Sequence, residues 1–397
     1  MTALQVGDPV PWFHCRAAGS PSWPFSACAG RYTVLSYLGS GAIPAARQIL
    51  QEFQSATDLF DGVRAVHVAL SCDPRDEAER RLVHAPPASL LLWDLDQEVG
   101  RALGVMGRGP DGRPVLQTAS ILVDPALRVL GVFPITAPRV HVAEVLTALR
   151  AAMRPSAAAT PDAPIRGDVA PVLLIPRVLE PALCQRLIEH FEAGRPAESG
   201  LMKNVPGQGS QMVVDPSRKR RRDIPIGDPE LIGAVQGRIE RRVLPEISRA
   251  FRFEVTRVER YIIGCYGGDV GGFFAAHRDN TGRATEHRAF ALTLNLNADD
   301  YEGGDLSFPE YGPTRYRPPT GGAVVFSCGL MHEVHPVTRG RRYCVIPFLY
   351  DEEGERVRQR AMVDGLDPEL REVFASVTTY RVSDQNVPGR IGPRVLV

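Results

Sequence analysis

The sequence predicts a multidomain chain: an α/β domain, then a double-stranded β-helix (jelly-roll) domain with helices packed against it. Three observations carry that expectation. A chain of 397 residues is long for one ordinary domain. Residues Arg154 to Asp168, RPSAAATPDAPIRGD, are rich in Pro and Ala and poor in large apolar residues, as linkers are. Before that stretch strands and helices alternate; after it, short strands are separated by Gly and Pro. The expected boundaries are a first domain over 1–153, a linker over 154–168, a second domain over 169–350 and a tail over 351–397.

In the first domain TVLSYL (33–38) is a buried-strand run, and Ala45 to Phe60 has the apolar spacing of a helix. A strand at Val63 to Leu70, a helix from about Pro74 and a strand at Leu90 to Trp93 follow. Strands at Ala119 to Val123 and Val129 to Phe133 lead into a closing helix, Arg139 to Met153. In the second domain helices near Pro181 to Glu192 and Pro229 to Phe251 precede short strands from about Glu254 to Tyr350. One helix, Asp367 to Ala375, is expected in the tail.

Composition narrows the function classes. Hydrophobic residues make up 44%, and 46 basic residues balance 46 acidic ones, so no global field recruits nucleic acid or membrane. The seven cysteines are scattered and never form a CxxC, which argues for a reducing compartment. MTALQVGDPVPWF has no secretory pattern and no run reaches membrane-spanning length, so a cytoplasmic protein is expected.

GDPVPWF, AGRYTVLSYL, WDLDQEVGRALGV and ILVDPALRVLGV resemble, in order, four segments of the thioredoxin-fold peroxiredoxins. The resemblance covers residues 5 to 152 and implies a thioredoxin-like first domain. The family's reactive cysteine sits at the start of the first long helix, where the helix dipole lowers the thiol pKa. Here Ala46 stands near that position, and Gln117 stands in place of the helper arginine. A degenerate module without peroxide chemistry is therefore expected. A thiol enzyme using Cys72 or Cys28 is the alternative, although a structural role suits Cys72 better.

The second domain carries the chemistry. CYGGDVGGFFAAHRDN places His277 and Asp279 two apart, hence on one face of an extended strand, and His332 lies at a later turn. Two histidines and one carboxylate are the donor set of a mononuclear non-haem Fe(II) centre with positions left open for a co-substrate and O2. Arg342, on the next strand, can anchor a dicarboxylate by its far end. His335 and Arg341 are the local alternatives, which the spacing alone leaves open.

The pattern H-x-V-x-P-V-x-x-G-x-R from His332 to Arg342, with LNADDYEGGDLSFPEYG before it, resembles the prolyl 4-hydroxylase-type 2-oxoglutarate and Fe(II) oxygenases over about residues 170 to 350. The resemblance implies that His277, Asp279 and His332 hold Fe(II), that Arg342 binds the distal carboxylate of 2-oxoglutarate, and that Tyr266 helps bind that co-substrate. It also implies hydroxylation of an unactivated C–H bond with release of succinate and CO2, O2 as co-substrate and ascorbate as reductant. Peptidyl or free amino acids, small metabolites, and protein- or carrier-bound groups all fit as substrate, and a homodimer is compatible with the tail. The alternative is a non-catalytic iron and 2-oxoglutarate sensor or scaffold.

SRKRRRD (217–223) reads as a solvated loop, with an acidic-substrate contact as the minority reading, and GGDVGG as a flexible rim. Phe273 and Phe274 are expected to line the pocket if strand parity holds. Histidines 14, 67, 84, 141, 190 and 287 read as structural or surface residues.

Overall fold

The structure is a computed structural model and describes residues 3–18, 20–86, 89–108, 114–154, 169–205, 209–364 and 377–383. The chain divides into two compact units, one built on Met1–Ala163 and one on Pro164–Val387. The expected linker (Arg154 apart) and the expected helix Asp367 to Ala375 lie outside the described residues. Among those residues, no helix is long and apolar enough to cross a membrane.

The first unit contains β1 (His14–Ala17), β2 (Ser20–Pro24), β3 (Tyr32–Gly39), α1 (Pro44–Ser55), β4 (Ala65–Ser71), β5 (Ser89–Trp93), β6 (Ala119–Val123), β7 (Val129–Pro134) and α2 (Pro138–Ala152). The sheet order is β2-β1-β5-β4-β3-β6-β7. β3, β4 and β5 run parallel, while β6 and β7 add an antiparallel hairpin beside β3. With α1 and α2 packed on one face, this is a thioredoxin-like arrangement. β4 is buried along its whole length, which is why it reads as an apolar run without alternation. α1 supplies Ala46, Ile49, Leu50 and Phe53, and α2 supplies Val142, Val145 and Leu149, to one core cluster. The expected helix to Phe60 stops at Ser55. The chain turns at Ala56, and Phe60 folds back edge-on to Phe53, with ring centroids 6.1 Å apart. Helical apolar spacing here comes from a fold-back. The helix expected from Pro74 is a single turn, Arg75–Ala78.

A buried polar chain crosses this sheet. His67 on β4 bonds Ser89 on β5 through Nδ1 (2.8 Å) and Ser36 on β3 through Nε2 (3.0 Å). Ser36 bonds Ser120 on β6 (2.7 Å), which meets His141 Nε2 on α2 at 2.9 Å.

The second unit carries α3 (Pro181–Ala193), α4 (Pro229–Arg242) and α5 (Leu244–Phe251). The single helix expected over Pro229 to Phe251 is broken at Val243, because Pro245 in the first turn of α5 has no N–H to continue the ladder. The strands that build the site are β8 (Lys219–Arg220), β9 (Arg222–Pro225), β10 (Arg257–Glu259), β11 (Ile262–Gly267), β12 (Phe273–His277), β13 (Phe290–Asn295), β14 (Leu306–Ser307), β15 (Ala323–Ser327), β16 (His332–Val334), β17 (Val337–Val345) and β18 (Phe348–Tyr350).

The larger sheet contains the run β9-β11-β17-β13-β18-β10, and the smaller one the run β8-β12-β16-β14. Both are antiparallel, as a jelly roll requires. Alternation along β13 sends Leu292 and Leu294 toward the helices, where they join Leu187, Val235 and Ile247. Ala291, from the same strand, faces the interior cluster with Tyr266, Phe326, Val334 and Phe348. A helix at Glu352–Asp364 was not foreseen, being polar and interrupted by Gly354. A Cβ at Gly354 would lie 2.8 Å from the His287 carbonyl oxygen, so close packing explains the glycine.

Burial pulls His67 from the ordinary 6.5 down to about 3. The unfolded chain therefore takes up this proton first as the pH falls. The stabilisation is intact above pH 6.5 and is lost toward pH 3. The loss amounts to at most about 1.4 kcal/mol per pH unit. Trp12, Trp23 and Trp93 all lie in the first unit, so tryptophan fluorescence reports it alone. Its urea midpoint should fall between about pH 7 and about pH 5, and His67→Gln should flatten that fall. A midpoint independent of pH in wild type would refute the assignment.

Candidate active site

β12 and β16 are neighbours, and their register sets His277 directly opposite His332. Asp279 follows β12, fixed by its backbone N–H to the Cys328 carbonyl at 3.0 Å. Each of the three side chains offers one ligand atom, and these atoms lie within 4.8 Å of one another. His277 Nε2 is 3.5 Å from Asp279 Oδ1, and His332 Nε2 is 3.3 Å from Asp279 Oδ2.

The opposite ring nitrogens decide what this cluster wants. His277 Nδ1 donates to the Ala275 carbonyl (2.8 Å) and His332 Nδ1 to the Leu330 carbonyl (3.0 Å). A carbonyl only accepts, so Nδ1 carries the proton in each neutral ring and Nε2 presents a lone pair. Two lone pairs and a carboxylate then face one another in a largely buried site. That arrangement is repulsive unless a cation sits among them, and the donor set fits a divalent metal. Without a metal the cation would have to be a proton. Burial pushes Asp279 toward its neutral form, yet two imidazoles that carry one on Nε2 outweigh burial and hold the carboxyl well below its usual range. Burial lowers His277, while at His332 the Asp279 carboxylate outweighs burial and raises it. Phe274 stacks on the His277 ring at 3.5 Å and excludes water from that side.

A cavity of about 470 Å³ opens beside the triad. Register across β11 and β17 pairs Tyr266 with Arg342, and both line it. Arg342 is 4% exposed, and its Nε and Nη1 have no hydrogen-bond partner. Its guanidinium sits 5.3 Å from the centre of the Tyr266 ring. A buried guanidinium with unused donors is costly, so the cavity asks for an anion at this point. His335 bonds Ser307 Oγ at 2.9 Å instead of joining the triad. Arg341 is half-exposed and pairs with Glu192 at 3.3 Å.

The family model for the 2OG-Fe(II) oxygenase superfamily matches residues 258–350. A PKHD-type hydroxylase of Burkholderia thailandensis is 32% identical over 171 residues, which is 40% of this chain and 71% of that protein. The chain belongs to the 2OG-Fe(II) oxygenase superfamily. A prolyl hydroxylase from Trichoplax adhaerens, solved with a hypoxia inducible factor peptide fragment, is similar at 19% identity and a TM-score of 0.39. The match covers 48% of this chain and 87% of that one. Peroxidoxin BcpB of Mycobacterium tuberculosis is similar at 24% identity and a TM-score of 0.33, over 38% of this chain and 99% of that one.

Three expectations for the oxygenase domain need correction. The basic run is no solvated loop: Lys219–Arg220 forms β8 against β12, Arg222 opens β9, and Lys219 and Arg221 are buried and line the cavity. Strand alternation, two residues apart, was the signal for this. The Gly-rich rim is a packed turn, Gly268–Val270, and a Cβ at Gly272 would lie 2.8 Å from the Gly267 nitrogen. Of the two aromatics, Phe274 lines the oxygenase cavity, while Phe273 packs under Arg220 at 5.7 Å. Arg260 and Arg288 also line it and carried no sequence signal.

In the first unit burial works against a thiolate at each of Cys15, Cys28 and Cys72. Ala46 is buried in the core and Gln117 is exposed. Burial pushes the Cys72 and Cys28 thiols up, and the Cys15 thiol to about 12.

Mn(II) added to the metal-free protein should raise the melting point of the oxygenase domain. At 100-fold excess over Kd the stabilisation is about 2.7 kcal/mol. Asp279→Ala should abolish it, and a shift that persists in this variant would place the metal elsewhere.

Proposed function

We propose that the second unit is an Fe(II)- and 2-oxoglutarate-dependent hydroxylase acting on an unactivated C–H bond of an amino acid, free or peptidyl, or of a small metabolite, with release of succinate and CO2. The observation that carries this reading is the coexistence, in one cavity, of two Nε2 lone pairs turned on a carboxylate and a buried guanidinium with unused donors.

In this reading His277, Asp279 and His332 hold Fe(II), and Arg342 holds the distal carboxylate of 2-oxoglutarate with a charge-assisted, fork-shaped contact. When bound, the iron supplies the oxidising chemistry that couples O2 and 2-oxoglutarate to C–H hydroxylation, and ascorbate serves to keep it reduced. The protein's own part is positional. The Ala275 and Leu330 carbonyls fix the imidazole tautomers, Tyr266 packs against the Arg342 guanidinium and fixes its plane, and Phe274 keeps water from the His277 ring. Arg342 stays cationic at any working pH, so co-substrate binding does not depend on its titration. The first unit, where burial works against a thiolate, serves in this reading as an interaction module.

Succinate formation from 2-oxoglutarate with Fe(II) and ascorbate tests the proposal. His277→Ala should abolish turnover and metal binding. Arg342→Gln should raise the KM for 2-oxoglutarate by roughly tenfold to a hundredfold while leaving metal affinity intact. Wild type that binds neither metal nor 2-oxoglutarate would overturn the assignment. Binding of both without turnover, even when candidate substrates are supplied, would point to a sensor.

A further inference from the structure

The oxygenase cavity holds more cations than its internal carboxylates and the co-substrate can satisfy. Arg221 is neutralised by Asp223, with contacts of 2.6 and 2.7 Å. Arg288 is neutralised by Glu259, with contacts of 2.5 and 3.0 Å, and His287 completes that buried cluster at 2.7 Å. A divalent metal and Arg342 together match the charge of Asp279 and dianionic 2-oxoglutarate. Arg278 is paired with Glu310, and Arg218, also at the cavity, is exposed to solvent. Arg260 is left over, and Lys219 joins it once an anion restores its charge.

Arg260 lines the cavity, and its guanidinium stands 5.2 Å from the centre of the Phe348 ring. Its Nε is buried without a hydrogen-bond partner, and it makes no ion pair among the described residues. Its backbone is held in the left-handed region at φ 49°, with its N–H bonded to the Thr378 carbonyl at 3.0 Å. For a residue with a Cβ this costs about 1 kcal/mol, so the turn that aims the side chain is maintained against strain. Lys219 is 6% exposed, stands 4.6 Å from the centre of the Phe274 ring, and donates to the Gly200 carbonyl at 2.9 Å. Burial holds its amine well below the usual range, and an arriving anion would restore its charge. Arg260, lowered by burial to about 10, is charged throughout.

Arg260 stands apart from the co-substrate clamp. Arg342 is on β17, the Phe348 beneath Arg260 is on β18, and β13 lies between those strands. Two strand spacings amount to about 10 Å. We infer that the substrate carries an anionic group, carboxylate or phosphate, held by Arg260 with Lys219 beside it. The inference rests on the reading that the triad and Arg342 take Fe(II) and 2-oxoglutarate.

Calorimetry on the full chain tests it, with inorganic phosphate and acetate titrated separately into protein loaded with Mn(II) and saturating 2-oxoglutarate. Wild type should bind one of the two anions, which identifies the group. Arg260→Gln should weaken that binding by about tenfold or more, and Arg260→Lys should retain most of it. Both variants should keep 2-oxoglutarate affinity within about twofold of wild type, with an unchanged circular dichroism spectrum. The inference is overturned if neither anion binds wild type, if Arg260→Gln binds as wild type does, or if it loses 2-oxoglutarate as Arg342→Gln does. Repeating the titration on metal-free protein separates the two readings. An isotherm that depends on Arg260 there upholds the anion site even if Mn(II) and 2-oxoglutarate fail to bind.

Discussion

His277 and His332 meet because two short strands of the smaller sheet pair with a register shift between Phe274 and His277 that sets the two imidazoles opposite each other. Side chains alternate along a strand, so a slip of one residue would turn one imidazole out of the cavity and leave Asp279 beside a single histidine. Strands this short cannot set their own register by hydrogen bonds. It is set by what packs beside them: Phe274 lies opposite Val334 within the pair, and Leu306 holds Val334 from the other side. In the larger sheet the pairing of Tyr266 with Arg342 plays the same part. The jelly roll is thus a device for holding two cross-strand pairs, one on each sheet, against a shared cavity.

Much of this was legible in the sequence for a physical reason. Ligand chemistry leaves few residue types to choose from, and the two-residue spacing kept His277 and Asp279 together. Asp279, however, lies past the end of β12, and it is its N–H bond to the Cys328 carbonyl, not strand alternation, that fixes it there. The thioredoxin-like order of the first unit was legible because parallel strands buried on both faces read as unbroken apolar runs. What escaped was set by tertiary contact. Phe60 mimics a helical position while folding back on Phe53. The helix at Glu352–Asp364 hides behind a glycine whose cause is the carbonyl of His287. Arg260 and Arg288 reach the cavity from segments far apart in sequence, and nothing in their neighbours announces it. The run 217–223 misled because charge density suggested solvent, whereas its alternation placed every second cation inside.

The first unit has a thioredoxin-like order with a buried carboxyl group beside the start of its first long helix. Asp76, fully buried, accepts from the Gly41 N–H and the Ser71 hydroxyl, both at 2.6 Å, just ahead of α1. A carboxylate there occupies donors near the helix start that could otherwise stabilise a thiolate, and it would repel one by charge.

Each imidazole of the triad is braced by the carbonyl two residues before it, Ala275 for His277 and Leu330 for His332. The brace is main chain and belongs to no particular side chain. Orientation of the two rings is thereby insulated from sequence drift at the surrounding positions. A lineage could reshape the cavity wall, exchanging one substrate for another, without ever passing through a form in which the histidines point the wrong way.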